Sequence, residues 1–153
     1  MLREIVSDAF RNQTIAEVAL EKANKRPEQE IIFHENEPAI EIASIVEEAG
    51  CLANSLRRLG MIAGDVISFQ LPSWREAVAI DLAASMLGLV LNPIIPIYRE
   101  KELKFILNDA NTKLLFIPEK FRSTNYLEMI GSIRSSLPKL EHVIVVRGVG
   151  NSQ

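Results

Sequence analysis

The chain has 153 residues, of which 48% are hydrophobic and 24% charged, with 7 Gly, 7 Pro and 1 Cys. That composition excludes disordered, collagen-like and disulfide-stapled classes, and a chain of about this length buries roughly 70% of its unfolded surface in a single core. Seventeen basic against 20 acidic side chains leave a formal charge of −3, which gives neither nucleic acid nor an anionic membrane a reason to bind.

The stretch Met1 to Asp8 carries no apolar run of the kind a secretory leader needs. A lone Cys51 closes no intrachain bridge, which fits a reducing, cytoplasmic setting. Thr14 and Glu17 have the spacing of a capping box and predict a helix that runs to about Arg26, where Pro27 stops it. Ile31, Ile32 and Phe33 read as a short strand, followed by a turn at Glu35 to Pro38. Ile45, Ala49, Leu52, Leu56 and Leu59 then draw one apolar stripe at helical spacing, with Glu47, Glu48, Arg57 and Arg58 off it and Gly60 at the C′ position. Val66 to Leu71 reads as a strand. Ser73 and Glu76 predict a second capping box, opening a helix that ends at Gly88.

Leu82 to Ile97 holds no charge, yet a spanning helix needs about 20 apolar residues, and Asp81, Gly88, Asn92, Pro93 and Pro96 interrupt the run. The stretch is therefore expected to be a helix followed by Leu89-Val90-Leu91, a strand buried on both faces. No transmembrane segment is predicted. Glu100 to Asn108 reads as a helix with Leu103, Ile106 and Leu107 on one face. Lys113 to Ile117 is a strand closed by Pro118. Tyr126, Ile130, Ile133 and Leu137 mark a helix ended by Pro138, and His142 to Val146 is the last strand.

Apolar strands alternating with helices imply right-handed crossovers and a doubly wound, mostly parallel sheet with helices on both faces, here one α/β domain over residues 1–153. Ligands of such sheets bind beyond the carboxyl ends of the strands. Those loops are Pro72-Ser73-Trp74, Asn92-Pro93-Ile94, Pro118-Glu119-Lys120 and Arg147-Gly148-Val149-Gly150. None is a Gly-rich phosphate cradle ending in Lys-Ser or Lys-Thr. Ser73 lacks the Gly-x-Ser-x-Gly context of a strained nucleophile turn, and its pairing with Glu76 explains it as a cap. His34 and His142 stand far apart with no Cys or carboxylate at ligand spacing. Cys51 reads as packing beside the stripe, Asp81 as a solvent-facing interruption of its helix, and Glu47-Glu48 as a solvated face. No catalytic, cofactor-binding or metal residue is assigned, so the chain reads as a scaffold without a reactive constellation.

Three segments resemble the amino-terminal region of the AMP-forming acyl-CoA synthetases, the adenylate-forming superfamily. Leu52 to Gly60 running into Gly64-Asp65-Val66 is similar to that family's helix, Pro-Gly-Asp turn and strand, with Ala63 in place of the proline. Leu71-Pro72-Ser73 stands where the family often has Leu-Pro-Asn. The most specific segment is Gly88 to Ile94, followed by Glu102-Leu103 and Ile106-Leu107-Asn108-Asp109-Ala110. The wording Asn92-Pro93-Ile94-Ile95-Pro96-Ile97-Tyr98-Arg99-Glu100-Lys101-Glu102-Leu103 is closest to the cyclohexanecarboxylate-CoA and medium-chain ligases. At the entry to the long helix the chain has Glu41-Ile42-Ala43-Ser44-Ile45, where the family commonly has Thr-Tyr-x-x-Leu.

The resemblance implies a parent acid–thiol ligase that uses ATP, Mg²⁺ and CoA to convert a carboxylic acid first to an acyl-adenylate and then to an acyl-CoA, as in fatty acid metabolism. The family's ATP-phosphate loop, adenine and ribose contacts and C-terminal lysine lie outside the segments matched here, so no adenylation residue is carried over. The expectation is therefore an amino-terminal fragment, inactive by itself, whose partners are the missing remainder of the ligase and, through exposed apolar surface, further copies of itself. Two alternatives stay open: a self-sufficient flavodoxin-like binding module, and a non-catalytic partner subunit.

Overall fold

The structure, a computed structural model, describes residues 12–32 and 38–148. The stretch Met1 to Asp8, Phe33, His34, residues 35–37 of the expected turn, Val149 and Gly150 lie outside the described residues.

Helix α1 (Ile15–Lys25) opens on the expected capping box: Thr14 Oγ1 accepts from the Glu17 N–H at 3.2 Å, and the Glu17 carboxylate accepts from the Thr14 N–H at 2.7 Å. Strand β1 (Glu30–Ile32) pairs antiparallel with β2 (Ile40–Glu41), which leads directly into α2 (Ile42–Arg58). Ile45, Ala49 and Leu56 of the stripe are buried, and Ile42, Val46 and Ala53 widen it. Leu59 is the C-cap residue and exposed, because the chain leaves the helix there. Gly60 takes a left-handed φ of 84° and donates to Arg57 O, while Met61 donates to Leu56 O and packs with Leu56 in one core cluster. That double bond and apolar contact satisfy the last carbonyls of α2.

The chain continues through β3 (Val66–Phe69), α3 (Arg75–Leu87), β4 (Val90–Pro93), α4 (Glu100–Asp109) and β5 (Leu114–Pro118). A small hairpin follows, β6 (Lys120–Phe121) with β7 (Thr124–Asn125), then α5 (Tyr126–Ile133), a 3₁₀ turn at Arg134–Ser136 and β8 (His142–Val146). Strands β4, β3, β5 and β8 lie side by side in that order, all parallel. Going from β3 to β4 the chain moves one way along the sheet; going from β4 to β5 it crosses back over β3. Right-handed crossovers then require α3 on one face and α4 and α5 on the other. The two core clusters show this division: Leu114 and Phe116 of β5 pack with α2 and α3, Leu115 and Ile117 with α4 and α5. The doubly wound α/β expectation is met.

Three details differ from the sequence reading. β4 was expected to be buried on both faces, but it is an edge strand with Val90 51% exposed; local apolarity does not reveal how many neighbours a strand has. The second capping box is absent: Trp74 is the N-cap residue, without a side-chain cap, and Glu76 is drawn elsewhere. Cys51 is exposed rather than packed. Among the described residues, no helix is long and apolar enough to cross a membrane.

Candidate functional site

The reversal of winding falls between β3 and β5, so the crevice of this fold lies beyond their carboxyl ends. β3 delivers Gln70 there as a fully buried side chain. Its backbone N–H bonds to Phe116 O at 2.9 Å, which ties it to β5. Its Nε2 donates to Ile95 O at 3.1 Å and to Tyr98 O at 3.0 Å, and its Oε1 is buried without a partner. Two carbonyl acceptors on one side fix the amide orientation, since only nitrogen can donate to both. The loop after β4 is thereby clamped by its backbone. Further donors reach the same loop: Ile94 N–H to Phe69 O at 2.8 Å, Tyr126 Oη–H to Pro96 O at 2.8 Å, and Arg99 Nη1 to Pro96 O and Tyr98 O. With the backbone facing in, Ile95 and Ile97 face out, 58% and 71% exposed. They form an apolar lip at the mouth of the crevice.

A second cluster spans the exits of β3, β5 and β8. Arg147, at a left-handed φ of 54°, turns its guanidinium back onto α3 and forms a bidentate pair with Glu76, Nε to Oε1 at 2.6 Å and Nη2 to Oε2 at 3.0 Å. The same guanidinium lies 4.4 Å from the Trp74 ring centroid, Trp74 meets Phe121 edge-on at 6.0 Å, and Arg122 sits 5.4 Å over Phe121. Partial burial pushes the Glu76 carboxyl up, but the Arg147 hydrogen bonds, its own backbone N–H and the Arg147 and Arg75 charges outweigh it, and the net shift is downward. The carboxylate is therefore ionised at neutral pH and committed to its arginine.

Polar groups elsewhere hold strands together. Ser68 Oγ lies 2.7 Å from Thr112 Oγ1, both buried, and accepts from Asn92 Nδ2 at 3.0 Å, which joins β3, β4 and the entry to β5. Asp65 accepts from Lys113 Nζ at 2.8 Å and from the Ile62 N–H at 3.0 Å. Those two donors, Lys113 first, hold its carboxyl below the ordinary range. This pair sits at the amino-terminal rim, opposite the crevice. Glu48, read as solvated with Glu47, instead pairs with Arg75 at 2.5 Å and bridges α2 to α3. His142 begins β8, in register with Leu114 and again at the far rim. Ser73 is exposed on the turn between β3 and α3.

What the crevice holds is a clamp, a committed ion pair and aromatic surface. Among the described residues, no group of three or more His, Cys, Asp or Glu is placed to hold a metal ion. Sequence reasoning missed Gln70, although a glutamine ending an apolar parallel strand is itself a signal, because a buried amide needs partners.

Fold and crevice together define a doubly wound α/β domain whose ligand face lies at the strand carboxyl ends. The chain belongs to the AMP-binding enzyme family, whose model matches residues 20–152. It is 31% identical over 133 residues to the medium-chain fatty-acid–CoA ligase of Escherichia coli (strain K12), a match covering 87% of this chain and 24% of that one. It is 27% identical over 132 residues to the mitochondrial medium-chain acyl-CoA ligase ACSF2 of Mus musculus, covering 85% of this chain and 21% of that protein. The chain thus spans about a quarter of the length of the curated relatives it matches. Among solved structures, the anthranilate CoA ligase AuaEII in complex with anthranoyl-AMP superposes with a TM-score of 0.80 at 23% identity, over 92% of this chain and 26% of that one. A Mycobacterium tuberculosis fatty acyl CoA synthetase does so with a TM-score of 0.77 at 21% identity, over 87% and 26%. At those identities the superpositions speak for the fold.

Proposed function

We propose that this chain is the amino-terminal part of an ATP-dependent, AMP-forming carboxylate–CoA ligase, and that by itself it does not catalyse the reaction. The observation that carries the reading is the family match over residues 20–152. The matched relatives are named as medium-chain ligases, which supports a medium-chain carboxylic acid as the substrate of the whole enzyme. ATP, Mg²⁺ and CoA belong to that whole enzyme. There ATP would supply the adenylyl group, Mg²⁺ would neutralise the phosphate charge, and CoA would supply the acceptor thiol of the second step. The residues described here contribute walls. Gln70 and Tyr126 hold the Ile94–Tyr98 loop, the loop presents its apolar lip, and the Glu76–Arg147 pair fixes the exit of β8 against α3. Nucleophile positioning and charge stabilisation, which dominate such chemistry, come from elsewhere. Ile95, Ile97 and Phe105 (69% exposed) offer apolar surface for the remainder of the enzyme to cover, and in its absence for self-association. A cytoplasmic setting completes the proposal.

The test has two arms. Incubated with ATP, Mg²⁺ and medium-chain carboxylates, the chain alone releases no AMP; sustained release overturns the inactivity. Exchanged for the corresponding segment of the Escherichia coli medium-chain ligase, it supports AMP release by the chimera. A folded chimera without that activity overturns the assignment as a ligase part.

A further inference from the structure

We infer that the β6–β7 hairpin is a lid over the carboxyl-end crevice, latched to the opposite wall by Trp74 and Phe121, hinged at Glu119 and Tyr126, and able to open while the rest of the domain stays folded. The lid is defined by contacts that are made rather than by surface left bare, and it does not depend on the ligase reading.

The latch joins the two faces of the sheet. Trp74 follows β3 and packs with the cluster of α2 and α3; Phe121 follows β5 and packs with the cluster of α4 and α5. Their rings meet edge to face with centroids 6.0 Å apart, so the contact spans the point where the winding reverses. The strand ends on both sides of it, Gln70–Leu71 and Ile117–Pro118, are buried. Each ring is backed by an arginine of its own side. Arg147, held by Glu76, lies 4.4 Å from the Trp74 centroid, and Arg122 lies 5.4 Å from that of Phe121. Trp74 is thereby fixed as a post, and Phe121 is the part that can leave it.

The hairpin is weak on its own. Its strands have two residues each, Lys120–Phe121 and Thr124–Asn125, and an isolated two-stranded hairpin is marginally stable at best. Its two-residue loop, Arg122-Ser123, has a left-handed φ of 54° at Arg122, a position at which such loops favour glycine. Backbone strain of that kind persists only where neighbours hold it. Lys120, Arg122 and Ser123 are exposed. The neck, in contrast, is firm. Tyr126 donates its N–H to Glu119 O at 3.0 Å and its hydroxyl to Pro96 O at 2.8 Å, and it is 1% exposed. By antiparallel alternation the next hydrogen-bonded pair beyond the neck is Phe121 with Thr124. That ladder bond therefore lasts while Phe121 stays docked against Trp74. Lids are drawn from segments of such low local stability.

Amide exchange in the unmodified chain reads the opening. Thr124 is expected to exchange faster than Tyr126 of the neck and Leu115 of β5, through a step that low urea does not promote, because little surface is exposed. Trp74→Leu keeps the hairpin sequence intact and removes the ring on which it docks. It raises the Thr124 rate relative to Leu115 by about two- to tenfold, the worth of an edge-to-face pair, and leaves the ratio of Tyr126 to Leu115 unchanged. A general loss of stability would instead speed all three alike. Thr124 exchanging together with Leu115, with the same urea dependence, overturns the lid. An unchanged ratio of Thr124 to Leu115 in Trp74→Leu overturns the latch. If Trp74→Leu fails to fold, Phe121→Leu tests the same joint from the hairpin side: acrylamide quenching of Trp74, the sole tryptophan, rises once the docked ring is gone, and an unchanged quenching overturns the latch.

Discussion

Replacing Gln70 with leucine removes the donor that clamps the Ile94–Tyr98 loop and nearly preserves side-chain volume. Two neutral hydrogen bonds, to Ile95 O and Tyr98 O, are lost. At about 1 kcal/mol each they total about 2 kcal/mol. The same substitution deletes the buried, unpartnered Oε1, whose desolvation costs about 1–3 kcal/mol, and it adds apolar burial. Neither carbonyl is left bare, because Ile95 O also accepts from the Tyr98 N–H at 3.2 Å and Tyr98 O from Arg99 Nη1 at 2.9 Å. Gain and loss thus nearly cancel, and Gln70→Leu shifts global stability by no more than about 1 kcal/mol in urea titration. Its effect is local: the Tyr98 amide exchanges faster, and protease cuts the loop near Ile95 and Ile97 sooner. Gln70→Ala loses the bonds and leaves a void as well, so it costs about 2–3 kcal/mol. If Gln70→Leu leaves loop exchange and proteolysis unchanged, the clamp is not what holds the loop. If it destabilises as much as Gln70→Ala, the accounting for the orphan oxygen is wrong.

Gly88→Ala and Gly64→Ala both place a side chain at positive φ, 67° and 88°, which costs about 1–2 kcal/mol. At Gly88 the new Cβ also meets Ala63 Cβ at 3.3 Å, whereas Gly64 faces open space, so the Gly88 variant shows the larger loss of thermal stability. The single tryptophan reports on the exit cluster: Arg147→Ala uncovers the Trp74 ring and shifts its emission to longer wavelength, and it lowers the unfolding midpoint at neutral pH because it leaves Glu76 without its bidentate partner. Glu76 has a folded pKa below its unfolded one, so its contribution to stability is complete above the unfolded value, near 4.5, and is lost as pH falls through the folded value. Glu76→Gln therefore weakens the protein at neutral pH, approaches the unmodified chain in acid, and shows a shallower acid limb in stability measured against pH.

Sequence by itself fixed whatever depends on neighbours along the chain. The Thr14–Glu17 box, the left-handed glycines at 60 and 88 that end α2 and α3, and the buried stripe of α2 are local chemistry, in which cap, turn and period act within a few residues. The alternation of strands with helices sufficed for a doubly wound sheet because crossover handedness leaves few other topologies. Tertiary structure decided what depends on partners far away in sequence. The stretch Leu89 to Leu91 has an interior composition but ends on an edge, since strand order is set by which helix covers which face. Glu76 left its predicted cap because Arg147, 71 residues on, offers a charged bidentate partner, and Ser73 was left exposed. Gln70 became a clamp only because the β4 loop folds back over the end of β3 and turns its carbonyls inward. A polar side chain's role follows from the groups that meet it, and those are chosen by packing rather than by sequence spacing.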